Sequence, residues 1–561
     1  DIYTSVLKMN AGDKYLYEDI LKNQLDVNTM IDKEVLYVAD QNNGSYNGQI
    51  TFDTSSLSNN GRWTAYNEAT MVIPLVVSLK GSASLVDAAP TMFSVGLKNG
   101  FYQLIDSIQV EYNNTGVVQL TPFTNFYVNY KILSSFSQND LIKHGALLGI
   151  SPDNAGSFSY SADGATNGNG FRNNEFLTTA NRPLDRPEQV NNGFIQRQIN
   201  NTADAAAGYS GIAMLTSASH NTIGKGYYYA DTGDAAAKVW TWTVLAVIRL
   251  KDVCDFFDKL PLVRGATVRL TVNYNSCISN VTCNARAMGL AALNPYVSLS
   301  GRTNPVMLSS SVEFAPNGAC ANVAGTLTIS CGVAGNSLKN ESVLLKQCRL
   351  YVPTYQMNPI YLEQIKKMAS PPIKTVAYTD IFNKNIVTVG AGEAFNELIT
   401  NGIINPKYVV VIPFVNSTGA GFFTGVTGVS TFQSPFDPSP GTTSPQAALT
   451  NFNIQVGGSN IFQQDFRYDF ESFRNEVEEL NALNGGKSTG LTSGLISKYM
   501  WDNSYRYYVG NVSRRLPAED NRALSISIIG TNTCTRPLSL VCFVVYERKI
   551  RINMDTSELV A

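Results

Sequence analysis

Apolar and polar positions along this chain follow the two-residue period of strands more often than the 3.6-residue period of helices. Ile50 and Phe52 alternate with polar neighbours, and Met71-Val72-Ile73-Pro74-Leu75-Val76-Val77 is a continuous apolar run too short for most helices. A run apolar on both faces predicts a buried strand, with Pro74 at a bulge or an unpaired edge position because it has no N–H to donate. Ser107 to Tyr112 alternates, Asn113-Asn114-Thr115-Gly116 turns and Val117 to Leu120 returns, which predicts a hairpin. Thr121-Pro122 then offers an N-cap with proline at the first helical position, ahead of Phe123, Phe126, Tyr127 and Tyr130 at helical spacing. Further strands are predicted over 239–244, 266–272, 524–529 and 538–546, and a helix over Tyr15 to Ile31 reads as part of an arm before the first core.

Periodicity fails over about 151–237, crowded with Gly, Asn, Ala and Ser, although Tyr227, Tyr228 and Tyr229 argue that part of it is ordered. A second irregular stretch covers about 284–342. Against this background the two halves echo each other. Val72-Ile73-Pro74 recurs as Val411-Ile412-Pro413, and Ile108-Gln109-Val110 as Ile454-Gln455-Val456, in the same order. Behind each Ile-Gln-Val stands a polar turn (Asn113 to Gly116, Gly457 to Asn460), a return strand (Val117 to Leu120, Ile461 to Gln464) and an aromatic-faced helix. The second such helix carries Phe470, Phe473, Val477 and Leu480 and stops at Gly485-Gly486. The ordered set predicts a duplicated β-domain.

Composition narrows the function classes. Charged residues make up 15% of the 561, below the roughly 25% of ordinary soluble proteins, so Asn, Ser, Thr and Gly keep the surface wet. The 42 basic and 44 acidic side chains nearly cancel without a Lys/Arg block, which leaves no footprint for direct nucleic-acid binding. Met71 to Leu79 is about half the ~20 residues of a membrane helix, so no transmembrane span is expected. The chain opens on Asp1 with no charged-then-apolar leader; a start segment or signal upstream stays open. The eight cysteines (Cys254, Cys277, Cys283, Cys320, Cys331, Cys348, Cys534, Cys542) contain no C-x-x-C pair and read as reduced, mostly buried thiols, with disulfides open among the four from Cys277 to Cys331. The sequons at Asn113, Asn280, Asn340, Asn416 and Asn511 carry little weight in a chain this rich in Asn, Ser and Thr.

No catalytic or cofactor signature is complete in the sequence. Only His144 and His220 are present, neither at metal-ligand spacing; His144 reads as half-buried and structural, His220 as a loop residue. Gly486-Lys487-Ser488 lacks the earlier glycine of a phosphate loop, Asn481 standing in its place, and reads as a helix stop. Gly208-Tyr209-Ser210-Gly211 lacks a residue of the nucleophile elbow. Glu471, Glu476, Glu478 and Glu479 read as a solvated helix face. Tyr505, Tyr507 and Tyr508 around Arg506 offer stacking for sugars or bases, but read first as a strand surface or subunit contact. No catalytic, cofactor-binding or metal residue is assigned.

The two matching halves, joined by Arg349-Leu350-Tyr351-Val352-Pro353 and Asn358-Pro359-Ile360-Tyr361, resemble the double jelly-roll major capsid proteins, above all those of Polinton-like viruses and virophages. Supporting segments are Tyr46 to Ile50, Asn99 to Ile105, Leu120 to Asn125, Tyr378 to Ile381, Ile399 to Gly402, Ser434 to Asp437, Ser513 to Pro517 and Gly530 to Thr533. The likeness is scattered over about 46–552 and omits the two irregular stretches. It implies an all-β fold of two eight-stranded antiparallel jelly rolls in tandem with short helices and long loop insertions. The expected division is an arm 1–45, a first roll 46–353 with insertions at about 151–237 and 284–342, a linker 354–373, a second roll 374–552 and a tail 553–561, arm and tail reaching neighbouring subunits. It further implies a homotrimeric, pseudo-hexameric capsomer in the icosahedral virion of a double-stranded DNA virus, assembled inside the infected host cell. Neighbouring capsomers, penton and other minor capsid proteins are the expected partners, with no sequence-specific nucleic-acid binding and no enzymatic role. Leu483-Asn484-Gly485-Gly486 is similar to a cleavage site of adenovirus-type maturation proteases, beside its reading as a helix C-cap. From another class, an extracellular carbohydrate-binding or carbohydrate-cleaving β-sandwich, using exposed Tyr and Trp and a carboxylate pair, fits the composition.

Overall fold

The computed structural model describes residues 30–81, 93–153, 238–283, 291–310, 323–331, 347–363, 372–415, 432–463, 467–483, 493–513 and 522–560, apart from gaps of at most three residues inside those spans, and the short segments 158–160, 171–173, 192–197 and 226–231. Eight strands build a first roll: β1 (Met30–Ala39), β2 (Gln49–Asp53), β3 (Thr70–Gly81), β4 (Ile105–Tyr112), β5 (Thr115–Val118), β6 (Lys238–Arg249), β7 (Val268–Tyr274) and β8 (Arg349–Met357). They pair antiparallel in two sheets, ordered β1-β8-β3-β6 and β2-β7-β4-β5. The second roll is built from β9 (Ile373–Val389), β10 (Ala394–Thr400), β11 (Pro406–Val415), β12 (Leu449–Val456), β13 (Ser459–Asn460), β14 (Tyr508–Asn511), β15 (Ile526–Asn532) and β16 (Leu538–Asn553). Its sheets run β9-β16-β11-β14 and β10-β15-β12-β13, the first roll's orders with eight added to every label. Both are jelly rolls, and the fold is all-β with short helices, as expected.

The duplicated tripeptides occupy equivalent places. Val72-Ile73-Pro74 lies in β3 and Val411-Ile412-Pro413 in β11, the third strand of each roll; the Ile-Gln-Val copies lie in β4 and β12, the fourth. Both prolines are tolerated for one reason. On one flank of β3, β8 pairs Thr70 to Val72 and the strand Val323–Cys331 pairs Leu75 to Gly81, so no described residue is paired with Pro74 there. On one flank of β11, pairing with β14 stops at Val411, two residues before Pro413. After β4 and β12 the chain turns through Asn113-Asn114 and Gly457-Gly458, all four at positive φ, which Asn and Gly tolerate. The second return strand is Ser459–Asn460, not Ile461 to Gln464, because a two-residue turn suffices.

Helix α1 (Thr124–Ser135) begins later than expected: its N-cap is Phe123 at φ 59°, while the Thr121 hydroxyl donates to the Ile381 carbonyl instead of capping. In α2 (Gln138–Leu148) Ser137 and Asp140 form a reciprocal capping box and Gly149, at φ 67°, ends the helix. Helix α3 (Asp255–Lys259) follows β6; α4 (Phe470–Leu483) and α5 (Lys498–Asn503) belong to the second roll.

Several expectations need correction. The arm 1–45 contains β1, an outer strand of the first roll; of the helix expected over 15–31, Met30 and Ile31 are strand and the rest lies outside the described residues. Thr354 to Met357 are strand β8, not linker. The stretch 284–342 contains the strands Ala291–Leu299, Val306–Ser310 and Val323–Cys331, and the last of these widens the sheet of β3. By contrast, the order that Tyr227 to Tyr229 suggest within 151–237 is borne out: they lie in a strand, Gly226–Asp231, paired with β6. Within the tail, Leu559–Val560 pairs with Arg551 and Ile552 of its own chain.

Two cores fill the rolls, and each borrows from the other. Phe126, Tyr127, Tyr130 and Leu133 of α1, which follows a first-roll strand, are buried among second-roll residues, while Val128 and Ile132 face the first core. In exchange Val376, Tyr378 and Ile552 of the second roll lie in the first core.

Candidate assembly surfaces and the seam between the rolls

The first candidate feature is the seam itself, since a two-roll building block works only if its rolls hold a fixed relation. One end is a polar hub on α1. Between Tyr127 and Tyr130, the fully buried Asn129 faces both rolls: its Oδ1 accepts from the Tyr102 hydroxyl at 2.6 Å, and its Nδ2 lies 3.1 Å from the Pro440 carbonyl, the Gly441 carbonyl and the Tyr507 hydroxyl. The Tyr127 and Tyr408 hydroxyls share a hydrogen bond at 2.7 Å, the buried Lys98 ammonium donates to the Ser439 carbonyl, and the Tyr505 hydroxyl donates to the Asp153 carbonyl at 3.0 Å. Each polar group is buried because a partner in the other roll satisfies it.

The other end is a two-stranded ribbon. Strand β11 pairs with β16 only as far as Tyr546, so Glu547 to Asn553 and their β9 partners Ile373 to Thr379 run on beyond the second roll's sheet. The Tyr378 hydroxyl donates to the Val117 carbonyl at 2.5 Å, and Arg548 donates to the same carbonyl at 2.7 Å and to Asp380 at 3.1 Å. Burial pushes the Asp380 carboxyl above its ordinary value, against the pull of Arg548 and of the Ile381 N–H. Asp255 of α3 accepts from the N–H and hydroxyl of Thr379 at 2.9 and 3.0 Å. Ser557, at φ 57°, closes this end: its carbonyl accepts from the Tyr112 hydroxyl and the Asn113 amide, and its hydroxyl accepts from the Arg264 N–H.

A cavity of about 300 Å³ opens along the seam between Tyr127, Tyr130, Thr379 and Tyr408. Its acidic lining residues are engaged within the wall: Asp252 pairs with Arg249, Asp258 with Lys259, and Asp255 holds Thr379.

Residues considered from sequence are distributed differently. Tyr505, Tyr507 and Tyr508 are core, each at most 1% exposed, with the Tyr508 hydroxyl accepting from the Leu449 N–H, so neither the stacking platform nor the strand surface is correct. Trp501 is buried and stacks on Phe473, with the Arg506 guanidinium 5.1 Å from its ring centroid. Glu476 is not a solvated residue: it is buried and accepts from the Asn511 N–H. His144 is half-buried on α2; His220, Ser210, Lys487 and the Gly485-Gly486 stop lie outside the described residues. The sequon side chains Asn113 and Asn511 are both used internally, Asn113 by Thr267 and Ser557, and Asn511 by Ser513. Cys254, Cys348 and Cys542 are buried free thiols, and burial pushes Cys254 and Cys348 up to about 12. Among the described residues no cluster of His, Cys, Asp or Glu could hold a metal ion, and no helix is long and apolar enough to cross a membrane.

Sequence reasoning missed Asn129, the Asp380–Arg548 pair and Ser557. It also missed Arg197, whose buried guanidinium binds Asp153 at 2.6 Å and the Leu97 carbonyl at 3.0 Å, pinning the base of the first insertion. An Asn between two helix-face tyrosines was the one available signal.

The outward candidate is the exposed side of β1, where Val35 and Tyr37 are 55% and 56% exposed and Ile31 59%. Arg349 stacks on Tyr37 at 4.5 Å, and Tyr351 lies beside it at 6.1 Å. Tyr and Arg on an open strand edge are the composition of an interface centre.

No family model matches the chain, and no curated protein matches it. Among solved structures it is similar to the major capsid protein of mavirus, at 10% identity and TM-score 0.48, over 96% of this chain and 92% of that one. It is also similar to PBCV-1 VP54 as fitted into a reconstruction of the virophage Sputnik, at 11% identity and TM-score 0.41, over 95% and 98%. The Faustovirus major capsid protein matches at 10% identity and TM-score 0.41, over 94% and 92%.

Proposed function

We propose that the chain is a major capsid protein whose activity is assembly: three copies form a pseudo-hexameric capsomer of six similar rolls, and capsomers tile the icosahedral shell of a double-stranded DNA virus. The observation that carries this reading is the seam. Two rolls of one strand order are joined by shared cores and buried polar contacts, so one chain supplies two near-equivalent building blocks in a fixed relation. The low charge and the abundance of Asn and Ser in the chain suit large, wet subunit contacts. Neighbouring capsomers, with penton and other minor capsid proteins, complete the shell, and the chain acts in the virion after assembly in the host cell.

The test is light scattering coupled to size exclusion, followed by electron microscopy. The expected result is a species of three times the 61.1 kDa chain mass, showing six-lobed projections. A monomer at every concentration, with no particles under assembly conditions, would overturn the reading.

A further inference from the structure

The internal duplication identifies a surface that the single chain leaves uncovered. The tripeptide echo fixes the correspondence between rolls: Val72 pairs with Arg349 and Arg349 with Ala39, just as Val411 pairs with Cys542 and Cys542 with Lys384. Counting back along the first strand of each roll, Tyr37, Val35 and Lys33 stand where Phe382, Asp380 and Tyr378 stand in the second. In the second roll that face of the ribbon is the half of the seam that enters the first roll: Asp380 and Tyr378 are 3% and 1% exposed and reach the Val117 carbonyl directly or through Arg548. In the first roll Lys33 is tied to Glu68 and Arg349 stacks on Tyr37, yet the equivalent face stays open, with Val35 and Tyr37 both more than half exposed.

The receiving half is also unused once. Val110 pairs with Val118 at the end of the first hairpin, and Val456 pairs with Ser459 in the second, so Gly458 is the counterpart of Val117. Gly457 to Asn460 are exposed. One chain thus presents an unfilled plug on its first roll and an unfilled receptor on its second, which are different patches and therefore make a heterologous, head-to-tail contact.

We infer that the β1 face of Lys33, Val35 and Tyr37 docks on the Gly457–Asn460 hairpin of a second copy of this chain, repeating between subunits the contact that β9 makes within one. The inference deepens the trimer reading and rests on it: with the intrachain contact repeated, three copies close a ring of six rolls.

Val35→Glu and Tyr37→Glu test it. Both side chains are exposed, so the monomer keeps its fold, checked by an unchanged unfolding temperature. Each change is expected to weaken self-association by roughly 30-fold or more. Independently, Val35→Cys combined with Ser459→Cys is expected to give interchain disulfides on mild oxidation, in a ladder ending at three chains. A wild-type trimer that survives both charge substitutions and gives no such crosslink overturns this interface while leaving the trimer standing. A wild-type chain that is monomeric throughout overturns the trimer and this inference together.

Discussion

Asn129 concentrates the cost of joining two rolls in one side chain. Its amide is buried, and truncation strands the Tyr102 hydroxyl on one side and the Pro440 and Gly441 carbonyls on the other. A buried polar group left without its partner costs about 1–3 kcal/mol. Asn129→Leu keeps the volume and is expected to lower stability by roughly 2–4 kcal/mol, read from urea unfolding; a change near zero would show that water replaces the amide. Asp380 gives a pH signature. Its folded value is raised by burial, so protonation favours the folded form: its contribution is fully present below the ordinary carboxyl range and is lost as pH rises through the folded value. The stability of wild type relative to Asp380→Asn is therefore expected to fall as pH rises above the ordinary carboxyl range, and a flat difference would count against a titrating group. None of these roles was written in the sequence pattern, because a buried amide or carboxylate among aromatic residues looks the same as an exposed one until its partners, hundreds of positions away, are placed.

Elements divide by how much of their burial is periodic. Strands buried on both faces, such as β3 and β11, announce themselves as continuous apolar runs, and the tripeptides in them mark equivalent places in the two rolls. Strand β1 does not, since its outer face mixes Ile31, Lys33, Val35 and Tyr37 and its inner face carries Asp32 and Glu34 beside Leu36 and Val38. An edge strand awaiting a partner has neither alternation nor a solid apolar run, so it reads as an arm. Tyr505 to Tyr508 mislead in the opposite sense: Arg506 and the phenols suggest a surface, whereas each of the three hydroxyls has a buried partner. The base of the first insertion is pinned by Arg197, and breaking a buried ion pair by removing one partner costs roughly 3–5 kcal/mol. Arg197→Met is expected to lower stability by a similar amount, read from urea unfolding; a change near zero would show that the pair holds nothing in place.

At the scale of the whole molecule, the question is whether two rolls behave as one body. A duplicated chain joined only by a linker would unfold roll by roll, each with its own core. Here the aromatic face of α1 completes the second core although α1 follows a first-roll strand, and Val376, Tyr378 and Ile552 complete the first core although they belong to second-roll strands. Unfolding either roll therefore exposes apolar surface of the other and strands the hydroxyls and carbonyls of the seam. A single calorimetric transition is expected for the full chain, with equal calorimetric and van't Hoff enthalpies. The C-terminal hook closes the ribbon end of the seam, through the three bonds of Ser557 and the pairing of Leu559–Val560. A chain ending at Asp555 loses all of these while both rolls keep their sixteen strands, so its first roll is expected to melt earlier and the single transition to broaden or split. If the shortened chain melts as one sharp transition at the wild-type temperature, the α1 hub and the ribbon contacts of Tyr378, Thr379 and Arg548 couple the rolls without the hook. A split would mean that the rolls are locked together only when the last residues of the chain are in place.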